Sequence, residues 1–248
     1  MSAERVTRSS ARAKRAKAGF RSEAAELAAI TAASERDLLA GVAVRAALRP
    51  LAHSADDAAR VAAAHGAFLR HTLPYGGNGS LRPASLLRVL TAMNLGPDSV
   101  FLDLGCGAGN VLLCALLAFG VRAAVGVEYD APTIALGRSI VARQLAALAP
   151  SYRDAGRLQL LDADIARLNH AAWRKLDFDA VFAYDRVMNH RVLQNVARLL
   201  NALRPRVFAT FVLPERWKEF GLAGTHFHTV HDCATTGSQK FTAYFFRF

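Results

Sequence analysis

One stretch restricts the fold more than any other: Val100-Phe101-Leu102-Asp103-Leu104-Gly105-Cys106-Gly107-Ala108-Gly109-Asn110. Its first five residues read as a buried strand, its alternating glycines as a turn, and the apolar run after Asn110 as a helix. Glycines there let the backbone come close to a ligand, and the first helical turn at Asn110 offers amides that have no partner inside the helix. The spacing is Gly-x-Gly-x-Gly with Asp103 just before it, not the Gly-x-Gly-x-x-Gly of dinucleotide sites. An acid in that place repels a pyrophosphate and suits a nucleoside cofactor bearing an ammonium and a sulfonium. Glu128, about 20 residues on at the end of the next strand, can accept from both ribose hydroxyls. Asp164, after a third strand, can accept from an adenine amino group while Ile165 packs on the ring.

The surroundings alternate in the same manner. Strands are predicted at Val100 to Leu104, Ala123 to Val127, Leu158 to Leu161, Ala180 to Tyr184 and Val207 to Val212, with helices near 84–94, 110–119, 131–148, 169–175 and 189–203. That is a β-α-β-α series, hence a mostly parallel sheet with helices on both faces. Two last β-rich runs, Phe227 to His231 and Phe241 to Phe248, flank the turn-like Thr235-Thr236-Gly237-Ser238 and predict a terminal antiparallel hairpin, for seven strands in all. Upstream, 23–48 and 56–72 have helical spacing, and 71–83 is a breaker-rich loop. The expected domains are a basic arm over 1–22, a helical region with a cofactor-covering loop over 23–80, and the catalytic domain over 81–248.

Charge is uneven. The 248 residues carry a formal +11, and residues 1–22, with seven basic residues against Glu4, hold +6 of it. Such an arm is too poor in apolar residues to order itself and is attracted to polyanions, nucleic acid first. A targeting segment of mitochondrial type and a solvated tail fit the same composition. The longest apolar run, Val111 to Val121, is 11 residues, short of the ~18–20 needed to span a bilayer. With no secretory pattern either, an intracellular setting without membrane contact is expected. Cys106, Cys114 and Cys233 are odd in number and outside any CxxC pattern, so reduced thiols and no metal centre are expected. His226, His228 and His231 lie near Asp232 and Cys233, with His226 and His228 expected on one strand face. We read them as a chance cluster, and Trp173 and Trp217 as packing residues.

The Asp-Leu-Gly-Cys-Gly-Ala-Gly string, with Glu128 and Asp164, resembles the class I methyltransferases that use S-adenosyl-L-methionine, and the likeness extends from about Leu81 to Phe248. It implies a Rossmann-like α/β fold in which Asp103, Gly105, Gly107, Gly109 and Asn110 hold the methionine part, Glu128 the ribose, and Asp164 and Ile165 the adenine. After the fourth strand the chain reads Phe182-Ala183-Tyr184-Asp185-Arg186-Val187-Met188-Asn189. It lacks the Asn/Asp-Pro-Pro-Tyr/Phe string of many nucleic-acid amino methyltransferases, which disfavours methylation of adenine or cytosine.

Three features resemble the disruptor-of-telomeric-silencing family of histone lysine methyltransferases: the loop from Tyr75-Gly76 to Ser80, the apolar run and polar pair before Val187-Met188, and the closing Thr236-Gly237-Ser238 turn with its aromatic last strand. The family's loop Glu falls on Gly77 or Asn78, its paired Asn on Tyr184 and Asp185, and its adenine-stacking Phe on Ile165. The resemblance implies a histone lysine acceptor in chromatin, a nuclear setting, nucleosome contact aided by the arm, and cofactor contacts at Tyr75 and Ser80. For a lysine, whose amine has a free pKa of ~10.4, Tyr184 would line a desolvating channel, and Asp185 would orient the amine or take its proton through water. The other reading makes Tyr184 core and Asp185 the cap of the helix near Met188. An RNA or small-molecule methyltransferase and a silent binding module of the same fold stay open, as do oligomeric state and degree of methylation.

Overall fold

The computed structural model describes residues 80–146 and 157–248. Among them seven strands form one sheet: β1 (Val100–Leu104), β2 (Ala123–Glu128), β3 (Leu158–Asp162), β4 (Ala180–Ala183), β5 (Val207–Thr210), β6 (Thr225–Ala234) and β7 (Lys240–Arg247). The order is β3-β2-β1-β4-β5-β7-β6. The first five run parallel; β7 is antiparallel to β5 and to β6. This is the expected mostly parallel sheet with a terminal antiparallel hairpin. β1, β4 and β5 are buried along their whole length, and β2 is buried up to Glu128, which explains their near-continuous apolar sequences.

The helices are α1 (Pro83–Ala92), α2 (Asn110–Phe119), α3 (Ala131–Ala146), α4 (His170–Trp173), α5 (His190–Leu203) and α6 (Pro214–Glu219). Pro83 pre-sets the first turn of α1. α2 follows Gly109 and ends on Gly120, both left-handed. α5 turns Leu193, Val196, Ala197, Leu199 and Leu200 inward, and its first turn is capped by Asn189, whose side chain accepts from the Val192 amide at 3.1 Å. The cap that the alternative reading gives to Asp185 is therefore made by Asn189. α6 went unpredicted, because six residues with four charges carry little periodicity.

The start of α1 is stitched to the hairpin. The Arg82 amide donates to the Ala234 carbonyl and the Thr236 amide to the Ser80 carbonyl, each at 2.8 Å, and Leu81 bridges Thr235. In the hairpin, β6 contains bulges, one between His226, which pairs with Phe246, and His228, which pairs with Phe245. Adjacent β7 residues face opposite ways, so the extra residue sends His226 and His228 to opposite faces, which corrects the expectation that they share one. Among the described residues no group of three His, Cys, Asp or Glu could hold a metal ion. None of their helices is long and apolar enough to cross a membrane. The basic arm, the helices expected over 23–48 and 56–72, and the loop with Tyr75 lie outside the described residues.

Candidate cofactor and acceptor site

The strand order reverses between β1 and β4, and the crevice beyond the carboxyl ends of parallel strands at such a point is where these sheets bind ligands. The glycine turn closes that end of β1. The amides of Gly105 and Cys106 both donate to the Val127 carbonyl, at 2.8 and 3.0 Å, which ties the turn to β2. Gly105 and Gly107 have φ of +81° and +53°, which L side chains rarely adopt. At Gly107 a Cβ would meet nothing within 4 Å, so the turn borders open space. At Gly126 a Cβ would stand 2.5 Å from Cys106 Sγ, so the sulfur fills the place of a missing side chain. Burial, then the charges of Asp103 and Glu128, push the Cys106 thiol well above its usual range, so it is no nucleophile.

Asp103 sits on β1 between Gly126 and Phe182 and is 1% exposed. Its Oδ2 is buried with no hydrogen-bond partner. Burial, and then the nearby Glu128 charge, hold its carboxyl well above the usual carboxylate range. A buried acid of this kind fits a cationic ligand group, since the attraction of an ammonium offsets both effects. Glu128 is held from three directions: Oε2 accepts from the Gly107 amide at 3.1 Å, and Oε1 from Tyr129 at 2.9 Å and Asp130 at 3.1 Å. A carboxylate has about four acceptor positions, so capacity remains for a sugar hydroxyl. The residues present thus fit an aminoacyl nucleoside.

Asp164 caps the turn that follows β3, accepting from the Ala166 amide at 2.9 Å, with Arg167 Nε 3.3 Å from its Oδ2. Ile165 is buried, and its carbonyl accepts from Asn195 on α5 at 2.6 Å. Asn110 is buried at the start of α2, next to Gly109. Ser80 takes part through its carbonyl, in the stitch to Thr236.

On the acceptor side, Tyr184 is half-buried just past β4. Its ring centroid lies 5.0 Å from that of Phe211 and 6.2 Å from that of Phe241, and the Arg186 guanidinium lies 4.9 Å over Phe241. Burial raises the phenol above its ordinary pKa. Val187 and Leu213 are exposed apolar residues close in the chain to this corner. Asp185 turns inward instead: it is 1% exposed and accepts from the Thr210 hydroxyl and from the Phe211 amide, the latter at 2.9 Å. Burial raises it to about 6, against the pull of those hydrogen bonds. Thr210 and Phe211 escaped the sequence reading; their place at the carboxyl end of a parallel strand was the available signal.

A polar cavity of about 320 Å³ lies at the opposite end of the strands, near Asn94, Ser99, Asp179 and Arg206. Its groups hold the fold together: Asp179 accepts from the Val100 amide at 2.6 Å and from Arg206 at 3.1 Å, and Arg206 also donates to the Met93 carbonyl at 3.1 Å.

Residues 74–148 match the family described as histone methylation protein DOT1. The DOT1 match takes in Tyr75, Ser80, the glycine turn and Glu128, and stops before Asp164, Tyr184 and Asp185. Over 44 residues the chain is 50% identical to a Cryptococcus neoformans protein named histone-lysine N-methyltransferase, H3 lysine-79 specific. That stretch is 18% of this chain and only 7% of the fungal protein. Among solved structures, TrmN from Thermus thermophilus superposes with a TM-score of 0.50 at 16% identity, over 65% of this chain and 47% of that one. The methyltransferase domain of bacterial CtHen1 gives 0.50 at 14%, over 66% and 96%. The fold is therefore the Rossmann-like class I methyltransferase fold.

Proposed function

We propose that this chain is an S-adenosyl-L-methionine-dependent protein lysine N-methyltransferase acting on a histone. The observation that carries the reading is Asp103: a buried carboxylate oxygen without a partner, beside a glycine turn whose sequence lies in the DOT1 match. Asp103, Gly105, Gly107, Gly109 and Asn110 would hold the aminoacyl part, Glu128 the ribose, and Asp164 with Ile165 the adenine, with Tyr75 and Ser80 on the covering side. When bound, the cofactor supplies an activated methyl group on a sulfonium.

The chain's own residues have two tasks in such a transfer, alignment and provision of a neutral amine. Tyr184, Phe211 and Phe241 form an aromatic corner that strips water from an entering ammonium and so lowers its pKa. Asp185 is 1% exposed and turned inward onto Thr210 and Phe211, away from an entering amine, so its part is to hold the corner rather than to take the proton. The DOT1 match, together with the lack of an Asn/Asp-Pro-Pro-Tyr/Phe string after β4, supports the lysine reading over an RNA acceptor. A nucleosome is the proposed partner, with the basic arm over 1–22 meeting DNA phosphates, and the nucleus the proposed setting.

Incubation of the full chain with tritiated S-adenosyl-L-methionine and, separately, nucleosomes, free histones, RNA and DNA tests this. Label is expected in a histone lysine. Label in RNA alone, or nowhere, overturns the proposal.

A further inference from the structure

The ends of β4 and β5 are joined by a buried chain of side chains that the transfer itself does not use. Trp217 on α6 donates its indole N–H to Thr210 Oγ1 at 2.9 Å, and the Val212 amide donates to the same oxygen at 3.1 Å. A hydroxyl has two lone pairs and one proton. With both lone pairs occupied, the Thr210 proton goes to Asp185 Oδ2, while Asp185 Oδ1 accepts from the Phe211 amide. Donation therefore runs one way, from Trp217 to Thr210 to Asp185, and ends on a carboxylate that must accept. Asp185, Thr210 and Trp217 are each no more than 1% exposed, so water does not substitute for any link.

The consequence falls on the neighbouring residue of each strand end. Asp185 is bonded to the Phe211 amide, and Tyr184 precedes Asp185, so the chain that fixes Asp185 also fixes the 5.0 Å approach of the Tyr184 and Phe211 rings. A core that needed only volume would use apolar side chains here, because burying a hydroxyl and a carboxylate is costly unless every partner is in place.

We infer that Thr210 and Trp217 are positioning residues: through Asp185 they lock the Tyr184–Phe211 ring pair that walls the acceptor's entrance, and they touch neither cofactor nor substrate. The identity of what enters rests on the lysine-transfer reading; the locking does not.

The test uses the full chain with Thr210→Val, Thr210→Ser and Trp217→Phe. The Tyr184 ring signal in a carbon–proton correlation spectrum, assigned by its loss in Tyr184→Phe, reports ring position without any turnover. Steady-state transfer to nucleosomes and the Kd for S-adenosylhomocysteine report the two halves of the site. Thr210→Val is expected to move the Tyr184 signal and lower kcat/KM for nucleosomes about tenfold, with the Kd unchanged within about twofold. Thr210→Ser, which keeps the hydroxyl, should restore both, and Trp217→Phe should fall between. An unmoved Tyr184 signal in folded Thr210→Val or Trp217→Phe overturns the inference, as does an equal loss of S-adenosylhomocysteine affinity. Should Thr210→Val not fold, Trp217→Phe decides by the same criteria, with Thr210→Ser as the control that keeps the signal in place. If the unaltered chain methylates no nucleosome, the lysine reading fails while the Tyr184 signal still decides the locking.

Discussion

The backbone amide of Gly107 donates to Glu128 Oε2 at 3.1 Å, so the crest of the glycine turn and the end of β2 form one unit. A carboxylate that accepts from three backbone amides is already aimed before any ligand arrives, and pre-organisation of this kind lowers the cost of binding. Glu128→Gln replaces one acceptor oxygen by an amide that faces other donors. Hydrogen bonds to a charged group contribute about 1.5–3 kcal/mol, so S-adenosylhomocysteine affinity should fall at least about tenfold. Isothermal titration checks this; unchanged affinity would detach Glu128 from the site.

Asp103 carries the cost of the site in the ligand-free chain. Its folded carboxyl is raised by burial and by Glu128, so at neutral pH its ionisation opposes folding. Asp103→Asn removes that cost, and its ligand-free Tm should rise by a few degrees, at about 2–4 °C per kcal/mol for a chain of this size. A lower Tm measured by calorimetry would show that Asp103 is not the unpaired acid described.

A third expectation concerns pH. Asp185 is raised from 3.8 to about 6, so between those values the folded chain keeps a proton that the unfolded chain has released. The sign follows: stability is greater at pH 4 and falls as pH rises to about 6, by about 2 kcal/mol from this group. Urea unfolding at pH 4, 5, 6 and 7 measures it. In Asp185→Asn this portion of the slope should vanish; a slope equal to that of the unaltered chain would contradict the assignment.

Packing beneath the turn gives a fourth. A Cβ at Gly126 would lie 2.5 Å from both Cys106 Sγ and Leu112 Cδ1, so Gly126→Ala should destabilise by about 1–3 kcal/mol through overpacking. Cys106→Ala added to it should recover part of the loss, because Sγ is gone, while Leu112 Cδ1 and the Cβ of residue 106, 2.6 Å from the new methyl, still crowd it. Purely additive effects in a double-mutant cycle would rule out the contact.

The parallel half of the fold was legible because its strands are buried on both sides and read as unbroken apolar runs; Val100 to Leu104 was predicted to the residue. Asp103, the glycines and Glu128 stand out in the sequence by their spacing, and the fold brings them to one end of the sheet, where the Gly107 amide donates to Glu128. The acceptor side was not. Thr210 joins Asp185 from 25 residues away, and nothing in either local sequence announces that pairing. The faces of His226 and His228 depend on a bulge set by the register against β7, which periodicity along β6 alone does not contain. Tyr184 was singled out from its position after β4, but the rings that complete its corner, Phe211 and Phe241, come from β5's end and β7.

Direct calorimetric titration of S-adenosylhomocysteine into the full chain and into its Asp103→Asn variant at pH 7 tests the central claim most closely. The expected result is binding by the unaltered chain, and affinity at least about tenfold weaker in the variant, which cannot offer a carboxylate to the ligand's ammonium. No binding by the unaltered chain, or equal affinity in both, would contradict the assignment of Asp103 and its glycine turn as the cofactor site.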